Sequence, residues 1–428
     1  MFAALLWRPR RPADPTRTYY AVTGWSSLLF ALTFTLNLVY YATDVSLSPL
    51  QMVLVGTVLE AVCFLFETPT GIVADLYSRR LSIIIGLALI GAGFVLQGAV
   101  PTFGAVIGAQ VLWGIGVTFT SGATQAWITD EVGEEHIAHV FTRGQQWELA
   151  AGVVGTVAAG ALGLISLRVP MLVSGAGFLA LTAAMLAVMP EAHFTPTPRA
   201  GRGTFGHMAS SFVRGAKIVR RGQMVRWFFL VSLIVGLSSE AVDRLWTLRI
   251  LDFGLPELFG TRSPAVWFTV FALIGMLLSL LTSLVVNRVS PERVNSLHPN
   301  RLLALLGAAQ VVGILGLALV GNLWLALAGL WLRSAAVALA QPIQAAWLNR
   351  LIASEARATV LSMNSQVDAV GQIAGGPPLG VLANRTSVSA ALVTSAVVLS
   401  PVVLIYARLR PSRKPTEPAA VERHSAST

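Results

Sequence analysis

The stretch Gly71-Ile72-Val73-Ala74-Asp75-Leu76-Tyr77-Ser78-Arg79-Arg80 decides the fold of this 428-residue chain. It joins two long apolar runs, residues 49–73 and 81–99, by a charged turn: a carboxylate at Asp75, a double arginine at Arg79 and Arg80, and Gly71 one helical turn before the Asp. Charges are costly in hydrocarbon, so such a hinge belongs at a membrane–water boundary. Outward from it, apolar runs of roughly 20 residues recur along almost the whole chain, each long enough to cross a hydrocarbon core of about 30 Å. The chain is 55% hydrophobic and only 12% charged, against about 25% charged in a soluble protein. Too many of the runs are apolar all round for a large soluble helical protein.

Twelve spans are predicted, over about 20–43, 49–73, 81–99, 102–127, 143–165 and 168–189, then 225–248, 264–286, 301–320, 322–348, 361–383 and 386–408. With both termini in the cytoplasm, the cytoplasmic segments hold about 24 of the 30 Lys and Arg residues, and the external loops only Arg168, Arg249, Arg262 and Arg385; Arg244 and Arg333 lie within spans. This asymmetry is the positive-inside signature, and moving the count by one helix destroys it. Arg8, Arg10, Arg11 and Arg17 precede a long first apolar run without an early small-residue cleavage site, so that run reads as an anchor and not as a cleaved signal. The expected organisation is a six-helix bundle over 1–190, a cytoplasmic linker over 191–224, a second six-helix bundle over 225–410 and a disordered cytoplasmic tail over 411–428. In the linker, Phe205, Met208, Phe212 and Val219 recur at helical spacing among Arg and Lys residues, as in an amphipathic helix lying on the inner membrane surface.

The net charge of +10 sits at the ends of spans, where anionic lipid and topology account for it and nucleic acid is not called for. One cysteine, Cys63, lies in an apolar run and forms no intramolecular disulfide, and no His pair has metal-ligand spacing. Neither a metal nor a cofactor is expected. A membrane enzyme is disfavoured too, because no nucleophile–base arrangement stands out, and a receptor would need an added signalling domain.

The two halves repeat. A shift of 220 residues places Trp127 on Trp347, Glu135 on Glu355, Gln146 on Gln366, Glu148 on Asp368, Gly155 on Gly375 and Gly160 on Gly380. One gapless frame thus aligns spans 4–5 with spans 10–11, the signal of a transporter assembled from two six-helix units.

Ionisable groups inside spans cost about 2.5–3.5 kcal/mol each on insertion scales, so each needs a reason. Glu60 and Glu67 are seven residues apart, close to two helical turns, and share a face that Gly71 and Asp75 extend to the cytoplasmic end. Such a line suits proton relay, with hydrogen bonding to a neighbouring helix as the structural alternative. Span 5 carries Gln145, Gln146 and Glu148; span 11 carries Asn364, Gln366, Asp368 and Gln372, of which Asn364, Asp368 and Gln372 fall on one face. These stripes fit either the lining of a gated cavity or interhelical bonding. Span 7 ends with Glu240, Asp243 and Arg244, one cation for two carboxylates, which leaves one acid as a candidate proton or cation site or the whole set as an external gate. Arg333 in span 10 is a buried cation for Asp368 or for an anionic substrate. Trp25, Trp113, Trp267, Trp324 and Trp331 lie in spans and are expected mostly in the interfacial belt.

The hinge resembles the loop between helices 2 and 3 of the major facilitator superfamily, roughly G-x-x-x-D-[RK]-x-G-[RK]-[RK]: Gly71, Asp75, Arg79 and Arg80 match, while Leu76 replaces a basic residue and Ser78 a glycine. The segment Phe66–Thr70 and the stretch Ser121–Glu131 are similar to drug-efflux-like members. The resemblance implies an all-α integral membrane fold of twelve helices in two pseudo-symmetric bundles, with Asp75, Arg79 and Arg80 in a cytoplasmic charge network that latches the outward-open state. Two departures bear on coupling: Gln110 and Trp113 stand where efflux members have an Arg and a Gln in helix 4, and the antiporter signature of helix 5 is missing, with G-G-P-P-L-G in span 11 in the equivalent place of the other half. The expected function is proton-coupled export of a small hydrophobic molecule by a monomer in the cytoplasmic (inner) membrane, through a cavity involving Gln110, Trp113, Arg244, Arg333, Gln366 and Gln372. Protons, membrane lipids and the substrate are its partners. The alternative is a nutrient or anionic-metabolite transporter of the same fold, with Arg333 reading the anion.

Overall fold

The computed structural model describes residues 13–196, 222–258, 260–288, 298–352 and 357–409. Most of the expected linker helix and the whole of the expected tail lie outside them, as do Glu355 and the first twelve residues. The described residues form fifteen helices: α1 (Pro15–Phe34), α2 (Asn37–Thr43), α3 (Pro49–Leu76), α4 (Arg79–Ala99), α5 (Phe103–Thr120), α6 (Ala123–Val132), α7 (Glu134–Gly163), α8 (Val169–Val188), α9 (Gln223–Leu251), α10 (Pro264–Arg288), α11 (Pro299–Leu319), α12 (Leu323–Arg350), α13 (Arg357–Arg385), α14 (Val388–Leu399) and α15 (Pro401–Arg408). With α1–α2, α5–α6 and α14–α15 each taken as one broken rod, twelve rods result. Ten of them are long and apolar enough to cross a membrane. The other two, α7 and α13, have the length but carry too many polar and charged groups. They are the fifth and eleventh rods, equivalent members of the two halves.

Local chemistry sets the breaks and starts. Ser121 is extended and Gly122 has φ +69°, a conformation that side chains with a Cβ disfavour, so the fourth rod splits between α5 and α6. The position 220 residues on is Pro342, which lies inside the unbroken α12. One half therefore interrupts the helix with a glycine where the other removes a backbone N–H with a proline. Pro401 ends α14 because it has no N–H to continue the ladder, although Ser400 before it keeps helical dihedrals (φ −55°, ψ −33°). Ser48 and Gln51 close a capping box at the start of α3. In the hinge, the Ser78 hydroxyl accepts from the Leu81 N–H at 2.9 Å and caps α4. The serine in place of the resembled glycine thus has a local task.

Packing repeats between halves: α1 on α7 and α4 on both α5 and α8 in the first, α9 on α13 and α11 on both α12 and α14 in the second. The glycines matched by the 220-residue shift do matched work. A methyl at Gly155 would overlap the Leu28 carbonyl of α1, and one at Gly375 the Leu237 carbonyl of α9, so both glycines let backbones touch within a half. A methyl at Gly160 would meet Thr269 Oγ1 at 2.6 Å, and one at Gly380 would meet Leu50 Cδ1 at 3.0 Å. Those two glycines face the opposite half. The seam between halves is made by α3 against α13 and α9, and by α7 against α10. Its close contacts lie toward the end remote from the hinge: Leu50 N donates to Asn384 Oδ1 at 3.0 Å, Gly376 meets Val53 and Thr57, and Gly163 meets Leu36 and Ala265. Along the hinge-side half of α3, residues 64–67 and Pro69 are exposed.

Candidate functional site

Toward the hinge end, two recesses open, and each belongs almost wholly to one half. The first, of about 660 Å³, is lined by Tyr19, Ser26, Ser27 and Phe30 of α1, by Val117, Thr120, Ser121, Thr124 and Gln125 around the α5–α6 break, and by Glu148 and Gly152 of α7. Met276 is its one contribution from the second half. The second recess, of about 350 Å³, is lined by Ser232 and Val235 of α9, by Val337, Ala340, Gln341, Gln344 and Ala345 of α12, and by Asn364 and Asp368 of α13. The shift of 220 residues carries Val117, Thr120, Ser121, Thr124, Gln125 and Glu148 onto Val337, Ala340, Gln341, Gln344, Ala345 and Asp368. The recesses are therefore one feature built twice, with a carboxylate at the same place in each. Ser27 donates to the Glu148 carbonyl at 2.7 Å, and Ser232 to Asn364 Oδ1 at 3.0 Å, which fixes the polar helix of each half to its partner.

Against the seam, outside both recess linings, lies a charged cluster. Arg244 pairs with Glu240 at 2.9 Å, one turn apart on α9, with Glu240 2% and Arg244 19% exposed. The pair sits against the first half: a side chain at Gly56 of α3 would collide with Glu240 Oε1 and Arg244 Nε, and one at Gly376 would meet Glu240 Cγ at 3.1 Å. Asp243 does not share Arg244. It pairs with Arg333 of α12 at 2.9 Å. The expected choice of Asp368 for Arg333 is thus not taken, because Asp243 projects from α9 at the height of Arg333. Asp368 instead accepts from Gln372 at 2.8 Å. Glu60 feels the charges of Glu240, Arg244, Asp368 and Asp243, and has no hydrogen-bond or ion-pair partner among the described residues. Four carboxylates thus face two guanidinium groups. Glu67, by contrast, is exposed on α3. Gln366 lies on α13 outside both recess linings.

Gln110 and Trp113 are occupied within the first half. Trp113 Nε1 donates to Gln110 Oε1 at 2.9 Å, Gln110 Nε2 donates to the Tyr41 hydroxyl at 3.2 Å, and that hydroxyl donates to Gln97 Oε1 at 2.6 Å. Gln110 is buried in this chain of bonds, and the Trp113 ring lies 5.4 Å from that of Phe34. Phe34, Trp246, Phe268, Phe271 and Trp331 line a smaller cavity of about 270 Å³ with Asp243 and Arg333. These rings had no distinct sequence signal, since they come from four rods and aromatic residues are common throughout. Trp331 therefore leaves the interfacial group, whereas Trp25 and Trp324 are exposed on the outer surface as that group requires.

At the hinge, Arg79 pairs closely with Asp130 of α6, donates to the Ala126 carbonyl at 2.8 Å, and reaches Asp75 only at 4.0 Å. The Ser78 hydroxyl donates to Glu191 Oε2 at 2.7 Å, and the Arg80 N–H donates to Glu191 Oε1 at 2.9 Å. An Arg80 guanidinium nitrogen donates to the Leu186 carbonyl at 2.8 Å. Trp127 Nε1 donates to the Pro190 carbonyl at 2.7 Å. All these partners belong to the first half or to the residues leaving it. Asp75 is 58% exposed and Arg79 18%. Gly71 has open space around its Cα. Asp130 and Glu191 are the network members that spacing did not single out, although Asp130 lies within the quoted Ser121–Glu131 stretch.

A two-unit helical membrane protein with paired recesses and a charged cluster against the seam is the architecture of a secondary transporter. A model of the Major Facilitator Superfamily matches residues 20–365, and the chain belongs to that family. An MFS-type transporter of Bacillus subtilis (strain 168), YxaM, itself described as uncharacterized, is 23% identical over 367 residues, 83% of this chain and 86% of that protein. Among solved structures, the nucleoside transporter NupG superposes with a TM-score of 0.74 at 14% identity, over 93% of this chain and 100% of its own. A bacterial homologue of the human lysosomal transporter Spinster gives 0.68 at 15%, over 92% and 97% of the two chains. The D-xylose–proton symporter gives 0.64 at 14%, over 92% and 98%. At these identities the superpositions speak for the fold.

Proposed function

We propose that this family member exports a small hydrophobic molecule from the cytoplasm in exchange for protons, by rocking its two halves about a central site. The hinge end is the cytoplasmic end on this reading, with both termini inside, in keeping with the arginine distribution of the sequence. The protein then stands inward-open in the inner membrane. The observation that carries the reading is the division of the molecule along its length: seam contacts toward one end, and a recess on each half toward the other. That is one half of an alternating-access cycle.

Glu60, Glu148 and Asp368 are the proposed proton-coupling groups, because they line or face the open space and make no ion pair among the described residues. Protonation there biases the cycle only if the two states differ in proton affinity. Glu240 and Asp243 each have an arginine and are better suited to holding structure than to releasing protons. Asp75, with Gly71, Arg79 and Arg80, is the proposed latch of the opposite state: Arg79 and Arg80 are anchored in the first half while Asp75 stands exposed, as a released latch would.

The test is uptake of a lipophilic dye into inverted proteoliposomes under an imposed pH gradient. Accumulation that collapses with a protonophore is the expected result. Gradient-independent equilibration across a broad compound panel would refute proton-driven export.

A further inference from the structure

The aromatic cavity is distinct from the two recesses and is lined from both halves, and its chemistry narrows what it holds. Phe268 and Phe271 form its buried floor, with ring centroids 5.6 Å apart, and Trp246 lies 5.4 Å from Phe268. Trp331 closes one side at 6.5 Å from Phe271. Phe34 is the wall from the first half; it is 42% exposed, with its ring uncovered toward the cavity. Rings at these spacings offer faces and edges to a flat ring system. The volume of about 270 Å³ suits one fused-ring group, since whole drug-sized ligands take roughly 300–1,000 Å³.

The polar groups on the wall are biased in one direction. The Thr35 hydroxyl spends its proton on the Ala31 carbonyl at 2.7 Å, and the Ser334 hydroxyl on the Leu330 carbonyl at 3.0 Å. Both oxygens are left as acceptors. Of the Asp243–Arg333 pair, the carboxylate is the open partner, 46% exposed against 14% for the guanidinium. The remaining donors on the wall are the neutral indole N–H groups and the Arg333 N–H groups left over from its pair, which are mostly covered. Aromatic faces beside an exposed carboxylate favour cations.

We infer that this cavity binds a planar aromatic group of two or three fused rings bearing a protonated amine or amidine, its rings between Phe34 and Trp331 and its cationic substituent at Asp243. The inference rests on the transport reading above and adds the substrate class to it. An anionic substrate fits less well, because Arg333 is the covered member of its pair and Asp243 the exposed one.

Equilibrium binding to the full-length protein in lipid nanodiscs, with empty nanodiscs subtracted, tests it by calorimetry. The probes are 2-(aminomethyl)naphthalene, 2-naphthoate and cyclohexylmethylamine. The naphthyl amine is expected to bind at least about tenfold more tightly than either of the others. Trp331→Ala and Phe34→Ala each weaken it about tenfold, and Trp331→Phe keeps it within about threefold. Asp243→Asn frees Arg333 and turns the preference toward 2-naphthoate, while Trp25→Phe on the outer surface changes nothing. Equal binding of 2-naphthoate and the amine by the unsubstituted protein overturns the inference. So does unchanged amine binding in Phe34→Ala, with its folding checked by thermal melt because the ring also packs on Phe30, Phe94 and Trp113. Amine binding without gradient-driven export would overturn the transport reading and leave the site standing; gradient-driven export of other hydrophobic molecules without amine binding would do the reverse.

Discussion

The two halves of this transporter share a frame and differ in what they hang on it. Gly155 and Gly375 allow the same backbone contact, Gly160 and Gly380 face the opposite half at the same place, and Glu148 and Asp368 mark the same point in each recess. Yet the hinge network of Asp75, Arg79, Asp130 and Glu191 belongs to the first half, whereas the buried pair Glu240–Arg244 and the more open pair Asp243–Arg333 belong to the second. On the alternating-access reading, repetition lets two alike units close against each other at either end, and the departures make the two closed states unequal in energy.

The frame is the most sensitive part. Gly155→Val and Gly375→Val each drive a side chain into a backbone carbonyl that no rotamer change can clear, and overpacking of this kind costs about 1–3 kcal/mol or more. Both variants are expected to lose most of their folded yield in detergent, by size-exclusion profile and thermal melt. If one tolerates valine and the other does not, the equivalence of the halves is broken.

Next comes the buried pair. Glu240→Ala strands Arg244 against Gly56, and leaving one partner of a buried pair costs about 3–5 kcal/mol. A fall in melting temperature is expected, with most of it recovered in the double variant Glu240→Leu/Arg244→Met. No recovery would mean that the pair does more than neutralise itself.

Smaller shifts are expected at the seam. Gly380→Leu should wedge α13 from α3 and lengthen the distance between spin labels at Ser46 and Arg385, in a Cys63→Ser background, by electron–electron resonance. An unchanged distance distribution would place the closure elsewhere.

Among the acids, Glu60→Gln and Asp368→Asn should each cut pH-gradient-driven flux by about tenfold, with Glu67→Gln near the unsubstituted rate. The reverse ranking would move coupling out to the exposed face of α3. The mildest change is Asp75→Asn. It should leave substrate affinity intact and slow turnover a few-fold, and lost affinity would exclude a latch.

Much of this was legible in the chain. The apolar runs, the hinge and the 220-residue frame pointed to twelve rods in two units, because burial in lipid writes itself into local composition. The same rule explains the two rods that fall short of apolarity: α7 and α13 give up lipid-like character to face the recesses. The hinge matched on Gly71, Asp75, Arg79 and Arg80, and its odd Ser78 proved to be a helix cap.

Ion-pair choice was not legible. Nothing local tells Arg333 to prefer Asp243 over Asp368, since the choice depends on the relative heights of α9, α12 and α13. Nor did spacing reveal the notch at Gly56 that receives Glu240 and Arg244. Gln110 and Trp113 looked like cavity residues and are spent on Tyr41 and Gln97, which lie far away in sequence. The aromatic cavity combines single residues from four rods, none distinctive alone.

By itself, then, the sequence determined that the chain crosses a membrane repeatedly, in two related units joined by a charged hinge, since hydrophobic length and repeat are properties of contiguous residues. Which acid meets which base, which end of the seam is closed, and which rings converge on one cavity were decided by the tertiary structure alone, because such contacts depend on the rotation and height of helices that the chain does not connect directly.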